Sequence, residues 1–467
     1  MTFRRSHRLC WLLIVFMGAA LTPSLTAQTR PVANPREMLR LMQIDESYLR
    51  FFQDDTPIRS ETEALEKLLF RLPSFAQVHL DRWSQPIENV DAVLLNPDSY
   101  RFEMHLLRGS VAEIRQIDVI PESRTRLGFD AYFEILLDHD ETRSLIFARQ
   151  IPRRWLPLSE KQPAGQFVSV QAMLLKRTVL QQRPALVFAA DRIRWHPQQQ
   201  SDSLGVSNDQ VLLGQLGLDV DRLADVVHKS PIVAQDRECF YQLMSAVRRV
   251  EPEQLAKLGR RTFDIAQFIQ RPASASGELF TLEGTARRAI RIQVDDVDIR
   301  ERFGISEYYE IEVFVPLEKQ VRFLDPALPP DQEGKVFRDY PFVVCVPALP
   351  DGMTTGDDIR TPISFSGFFL KLWAYRTEFM SGGQQRTATP RLQQSPLFVG
   401  PTVVVDNGEV AEESQLSLYI AGLFLAALSI TWFTLWRASV RDRVQMKTLL
   451  RKHEPTGNLD SIAGDES

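Results

Sequence analysis

The chain is written twice. Pro57-Ile58 returns as Pro231-Ile232, Gly109 as Gly284, and the run from Leu127 to Ile135 as Phe303 to Ile311. The offset drifts from 174 to 175 to 176 residues, so the correspondence stays colinear over a long stretch, as a tandem duplication requires. Further on, Val168 to Lys176 aligns without gaps with Ile363 to Lys371 at an offset of 195, and Pro184 and Leu186 answer Pro396 and Phe398 at 212. Two copies imply two similar folded units, each near ordinary domain size. The two jumps in offset predict insertions placed in surface loops, outside the strands.

Each copy opens with a helical pattern. Ser60-Glu61-Thr62-Glu63 reads as a capping box, followed by Leu65, Leu68, Leu69 and Leu72 on one helical stripe. Cys239, Leu243, Met244 and Val247 give the second copy a similar stripe, and two or three short helices per copy are expected. Strand patterns follow. Tyr309, Ile311, Val313 and Val315 alternate with Glu310 and Glu312, as on a half-buried strand. The expected strands are a long first one containing Gly109, then 131 to 138, 144 to 151, 166 to 176 and 184 to 195. In the second copy they are 279 to 297 with Gly284, then 307 to 315, 341 to 348, 362 to 376 and 396 to 405.

A glycine midway along a long strand permits the sharp bend of a small closed barrel. This order, with that glycine and with Pro163-Ala164-Gly165 before strand four, resembles the OB fold, a five-stranded Greek-key barrel, over about 95 residues of each copy. The resemblance is one of pattern and implies no activity. An immunoglobulin-like sandwich is the competing architecture, but it asks for seven strands where five are countable. The expected fold class is α+β: a duplicated helical segment followed by an OB-like barrel, plus one transmembrane helix. The expected segments are a signal peptide at 1–27, helices at 33–84, a barrel at 100–197, helices at 209–270 and a second barrel at 278–405. A stalk at 406–415, a span at 416–436 and a tail at 437–467 complete the chain.

The two termini carry the topology argument. Arg4, Arg5 and Arg8 precede an apolar run from Leu9 to Leu21 and the small-residue stretch ending at Ala27, the pattern of a secretory signal. Leu25 is bulkier than the residue preferred three places before such a cut, so an uncleaved anchor is the alternative. Leu416 to Trp436 is almost unbroken apolar sequence, long enough to cross about 30 Å of hydrocarbon. Asp406, Glu409, Glu412 and Glu413 precede it; Arg437, Arg441, Arg443, Lys447, Arg451 and Lys452 follow it. The positive-inside rule puts the basic flank in the cytoplasm and the bulk of the chain outside.

The portion expected outside carries 46 basic and 55 acidic residues, a balance of −9, which disfavours nucleic acid as a partner. None of the six Asn residues lies in an Asn-x-Ser/Thr acceptor, which favours a bacterial envelope. Cys239 and Cys345, in different copies, read as buried apolar residues, with a bridge between copies as the alternative. The sequence holds no Gly-x-Ser-x-Gly, His-Glu-x-x-His, Gly-x-x-x-x-Gly-Lys or Cys-x-x-Cys motif, so no catalytic residue, metal or cofactor is expected. The carboxylates of Asp138-His139-Asp140-Glu141 and of Asp295, Asp296 and Asp298 could hold a hard cation, but each also suits a polar turn.

The second copy's loop between strands four and five departs most from the first. It combines Trp373, Tyr375, Arg376, Phe379, Arg386 and Arg391, and no acidic residue occurs from Phe379 to Val405. Aromatic residues with arginine are enriched at contact surfaces, so Trp373, Tyr375, Arg376, Arg386 and Arg391 form the expected binding surface. The expected function is that of a noncatalytic, single-pass envelope protein on the outer face of the inner membrane. It would act as a scaffold or as a protein- or ligand-binding component with an envelope partner. The alternative is an enzyme or accessory subunit with its site between the repeats.

Overall fold

The structure, a computed structural model, describes residues 32–139, 142–161, 163–323, 335–376, 392–406, 424 and 427–432. Two compact units divide between Trp195 and His196. Each is a cap of short helices followed by a barrel.

The first unit begins with α1 (Pro35–Leu41), α2 (Glu46–Leu49), α3 (Thr62–Arg71), α4 (Gln77–Trp83) and α5 (Val90–Leu95). Its barrel consists of β1 (Met104–Asp118), then α6 (Pro121–Leu127), β2 (Ala131–His139), β3 (Thr142–Gln150), β4 (Phe167–Leu180) and β5 (Arg183–Arg192). The second unit repeats the plan with α7 (Asn208–Gln215), α8 (Ala234–Val247), α9 (Pro252–Leu258) and α10 (Ile265–Gln270). Its barrel is β6 (Leu279–Gln293), α11 (Val297–Phe303), β7 (Glu307–Phe323), β8 (Lys335–Val346), β9 (Thr361–Arg376) and β10 (Leu392–Val399).

In both units strand one pairs antiparallel with strands two and four, and strand two with three. Strand three runs parallel to five, and five returns antiparallel to four. The ring closes, giving the expected five-stranded OB-type connectivity rather than two packed sheets. Gly109 and Gly284 sit where the first strand crosses closest to the second. A Cβ at Gly284 would lie 2.6 Å from the Phe314 carbonyl oxygen, and one at Gly109 would strike that of Asp138. A one-residue register shift follows each glycine, between Val111 and Glu113 and between Ala286 and Arg288, so the bend is built twice in the same way.

Two apolar layers result. In the second unit Phe365, Phe369, Phe398, Phe342 and Ile311 fill the barrel interior. Outside the barrel, Cys239, Leu243 and Met244 of α8 pack on Val343, Cys345, Phe368, Leu370 and Leu397. In the first unit the expected stripe of Leu65, Leu68, Leu69 and Leu72 covers Phe147, Met173, Leu175, Val187 and Ala189 in the same manner. Each such leucine, removed from water, stabilises by about 1.5–3 kcal/mol. Cys239 and Cys345 are free and buried.

Several expectations are corrected. Among the described residues there are five α-helices before the first barrel and four before the second, more than the two or three expected. The start of α3 lies one residue beyond the expected cap at Ser60: Glu61 is its N-cap and makes no side-chain cap bond. Strand one of the second copy ends at Gln293, because Asp296 accepts the Asp298 N–H at 2.9 Å and starts α11. Gly304 stops that helix at a left-handed φ of 64°, as Gly128 stops α6 at 70°. The first insertion does not lie wholly in a loop. It lengthens β7 and β8 beyond the Val315–Tyr340 pair into a ribbon, in which Val321 faces Phe337 and Phe323 faces Lys335.

Replacing Gly284 by Ala is expected to destabilise the second unit by about 1–3 kcal/mol through forced backbone displacement. Chemical denaturation of the protein checks this, since an unchanged midpoint would mean that the strand crossing relaxes freely.

Candidate interaction surface

The outer side of strand four carries the most unusual group in each unit, a buried lysine. Lys176 and Lys371 are 1% and 0% exposed at the side chain. A β-bulge puts them there. The register of β4 shifts between Leu174 and Lys176, and that of β9 between Phe369 and Lys371. In a regular strand with no bulge Lys176 would share the parity of Ala172 and Leu174 and point into the barrel. With it, Lys176 pairs with Val187, and Lys371 with Leu397, both on the helix-covered side.

Beneath the helices each ammonium meets one carboxylate. Lys176 Nζ lies 2.7 Å from each oxygen of Glu61 and donates to the Thr56 carbonyl oxygen at 2.8 Å. Lys371 Nζ lies 2.5 Å from Asp236 Oδ2 and donates to the Pro231 carbonyl oxygen at 2.9 Å. The carboxylates in turn hold the preceding loop. Glu61 accepts from the Gln53 N–H and the Thr56 hydroxyl, at 3.2 and 2.8 Å. Asp236 accepts from the Val227 and Val233 N–H groups at 2.7 and 3.0 Å. Burial pulls the Lys371 ammonium below the ordinary lysine value, and Asp236 opposes that pull. The arrangement ties loop, helix and strand together, so it is a structural clamp.

A second ion pair is also duplicated. Arg126 of α6 reaches Glu63 of α3 at 3.5 Å, and Arg302 of α11 reaches Glu238 of α8 at 2.6 Å. The second pair is largely buried and gains from Gln242, which also donates to Glu238 at 2.9 Å. The first is exposed and contributes little.

The expected binding residues divide into two groups. Trp373 and Tyr375 lie two apart on β9, opposite Ser395 and Gln393, with rings stacked at 4.5 Å and 29°. They are partly buried against the helix-side core, and the Tyr375 hydroxyl donates to Glu312 at 3.1 Å. Arg376 is the last residue of β9. Phe379, Arg386 and Arg391 lie outside the described residues, in the connection from Arg376 to Leu392. The first unit makes the same connection with only Gln181 and Gln182, both at positive φ. The ribbon of β7 and β8 rises at this same barrel end, because parallel pairing sets the start of β8 beside the start of β10. The second unit therefore extends one end of its barrel at two neighbouring places.

Other candidates are used structurally. Asp138 pairs with Arg143 at 2.7 Å, and His139 bonds Ser144 at 3.0 Å within the hairpin; Asp140 and Glu141 lie outside the described residues. Asp296 caps α11 and pairs with Arg237, while Asp298 pairs with Arg302 at 3.3 Å. Among the described residues no three His, Cys, Asp or Glu side chains could share a metal ion. A cleft of about 450 Å³ in the first unit is lined by Arg36, Asp54, Asp98 and Arg101. Its deepest cation, Arg101, is already bound to both aspartates and to the Phe52 and Leu175 carbonyl oxygens.

Sequence reasoning missed the clamps. The signal was available: an ionic residue ends the strongly apolar runs Ala172 to Leu175 and Gly367 to Leu370 in both copies, and a carboxylate recurs at Glu61 and Asp236.

No protein-family model matches the chain, and no curated protein matches it. Among solved structures it is similar to a small single-stranded DNA-binding protein from Streptomyces coelicolor, at 12% identity over 28% of this chain and 92% of that one, with a TM-score of 0.14. It is also similar to the single-stranded DNA-binding protein of Thermus aquaticus, at 8% identity over 66% and 95%, with a TM-score of 0.14. An aspartyl-tRNA synthetase from Entamoeba histolytica is similar at 9% identity over 50% of this chain and 51% of that one, with a TM-score of 0.15. Scores so low carry no argument about activity.

Replacing Lys176 by Met strands a buried carboxylate, with an expected loss of about 3–5 kcal/mol. Adding Glu61→Gln, which keeps the loop acceptor without the charge, is expected to recover more than half of that loss. Denaturation midpoints of the single and double variants test the coupling, and equal midpoints would show that the charge is not the cause.

Proposed function

We propose that the chain is a noncatalytic, single-pass envelope protein that displays two helix-on-barrel modules on the outer face of the inner membrane as a binding or scaffold component. The carrying observation is the short helix near the C-terminal end of the described residues. Residues 427–432 are helical, and Phe424, Leu428, Ile430 and Trp432 are 67, 52, 65 and 71% exposed. On a helix Phe424, Leu428 and Trp432 share one face and Ile430 the opposite one, so large apolar groups point outward on two opposite faces. Such a surface suits lipid. Among the described residues no helix is long and apolar enough to cross a membrane, and most of 416–436 lies outside them. The charge flanks set the orientation, with Asp406 to Glu413 outside and Arg437 to Lys452 inside.

A binding role for the modules draws on how the barrels are covered. In OB-type barrels the outer faces of strands two and three receive oligonucleotides. Here Tyr132 and Phe147, and in the second unit Tyr308, Val343 and Cys345, lie in the clusters formed with the helical caps. That cover, with the acidic balance, supports a protein partner rather than a nucleic acid. The surface assigned to the partner is the extended end of the second barrel, from the Trp373–Tyr375 stack outward.

Reporter fusions test the topology: a periplasm-dependent enzyme fused after Asp406 is expected to be active, and one fused after Ser467 inactive. The reverse pattern, or activity at both sites, rejects it. Copurification in detergent tests the surface. Arg386→Glu with Arg391→Glu is expected to lower partner recovery at least about tenfold, the scale of a contact worth 1.4 kcal/mol. Unchanged recovery rejects that surface.

A further inference from the structure

The two copies bind the backbone of strand four with different chemistry. In the first unit Asp54 Oδ1 accepts the Arg177 N–H at 2.8 Å, while Oδ2 pairs with Arg101 at 2.9 Å. In the second unit His228 stands at the position of Asp54, and Ser276 at that of Arg101. His228 Nδ1 accepts the Leu372 N–H at 3.3 Å, and its Nε2 lies 3.4 Å from the Ser276 hydroxyl. The imidazole stacks parallel to Phe369, with ring centroids 6.4 Å apart.

We propose that the second unit carries an acid-labile clamp and the first does not, because a proton on His228 Nδ1 removes the acceptor that holds strand four at Leu372. A neutral imidazole with its proton on Nε2 presents a lone pair to Leu372 and a donor to Ser276. Protonated at both nitrogens, it sets one N–H against another, and the bond is lost. A carboxyl group such as Asp54 keeps an accepting oxygen in either protonation state.

The surroundings oppose that proton. Burial acts first and Lys371, from β9, second; Lys229, the next residue, adds to them, and Asp236 of α8 favours the charge. The Asp236 carboxylate is already engaged by Lys371, Val227 and Val233. Together they hold the imidazole down to about 4. The unfolded chain takes up this proton near pH 6.5, so above that value the clamp contributes fully. Between about 6.5 and 4 the unfolded state binds more protons, and stability falls as the pH falls.

The consequence reaches the candidate surface. The loop that bears His228 also gives the Lys229 N–H to Leu372 O at 2.7 Å and takes the Ala374 N–H at Ser230 O at 3.2 Å. These bonds bracket Trp373, so opening the loop uncovers the strand edge beside the Trp373–Tyr375 stack.

Hydrogen exchange of the full-length protein in detergent, read by mass spectrometry and corrected for intrinsic pH dependence, tests the inference. Protection of 226–233 and 371–374 is expected to fall at least about tenfold between about pH 7 and 4.5, while 52–58 and 176–179 keep theirs. His228→Gln, whose amide oxygen accepts without titrating, is expected to retain protection at both pH values. Should that variant be unprotected at pH 7, His228→Asp, which restores the first copy's acceptor, is expected to show the same pH insensitivity. Acid opening that persists in the folded variant, a parallel loss in the first unit, or an unresponsive wild type would each overturn the proposal.

Discussion

Everything in each unit converges on one buried ammonium–carboxylate contact. A charge withdrawn from water is costly unless it is matched, and Lys176 and Lys371 are matched by Glu61 and Asp236 together with backbone carbonyl oxygens. The match needs a bulge to turn the lysine out of the barrel, a helix start to present the carboxylate, and a loop to close over both. Remove any one and the other two are left with an unsatisfied group in an apolar layer. Apolar packing supplies most of the attraction between helical cap and barrel. The ion pair supplies register, because only one placement of the cap brings the carboxylate over the lysine.

Divergence between the copies has followed that constraint. The clamp lysine and its carboxylate persist, as do the glycine at the strand crossing, the left-handed glycine after the short helix and the arginine that ties this helix to the cap. What has changed lies around them: Asp54 and Arg101 against His228 and Ser276, a two-residue turn against a fifteen-residue connection, a short hairpin against a long ribbon. The first unit is closed off at its hairpin end. The second has grown there, and its neighbouring loop is held by a titratable group, so the extension and the histidine fall in the same module.

Particular residues show how far the amino-acid sequence could be read. The leucine stripe from Leu65 to Leu72 and the alternation from Tyr309 to Val315 were legible because burial imposes the 3.6 and 2.0 periods directly on sequence. The short helices α6 and α11 were harder to see. Seven residues are too few to show a period, and only Pro121, Asp296 and the terminal glycines marked them. The ribbon was misplaced because an insertion in one copy has no counterpart with which to align. Trp373 and Tyr375, read with the loop between strands four and five, lie on strand four itself, and their stacking and shared burial against the helical cap depend on neighbours remote in sequence.

The sequence by itself determined that there are two alike units, each with helices before five strands and with a bend at one glycine of strand one, because repetition and periodicity are local properties of the chain. Only the tertiary structure decided what the lysines do. Their direction depends on a one-residue bulge that period-two reasoning cannot detect, and their partners lie 115 and 135 residues away. It also decided the exchange of Asp54 for His228. That exchange is two unremarkable letters in sequence, and it acquires meaning only where both side chains face the same backbone N–H of strand four.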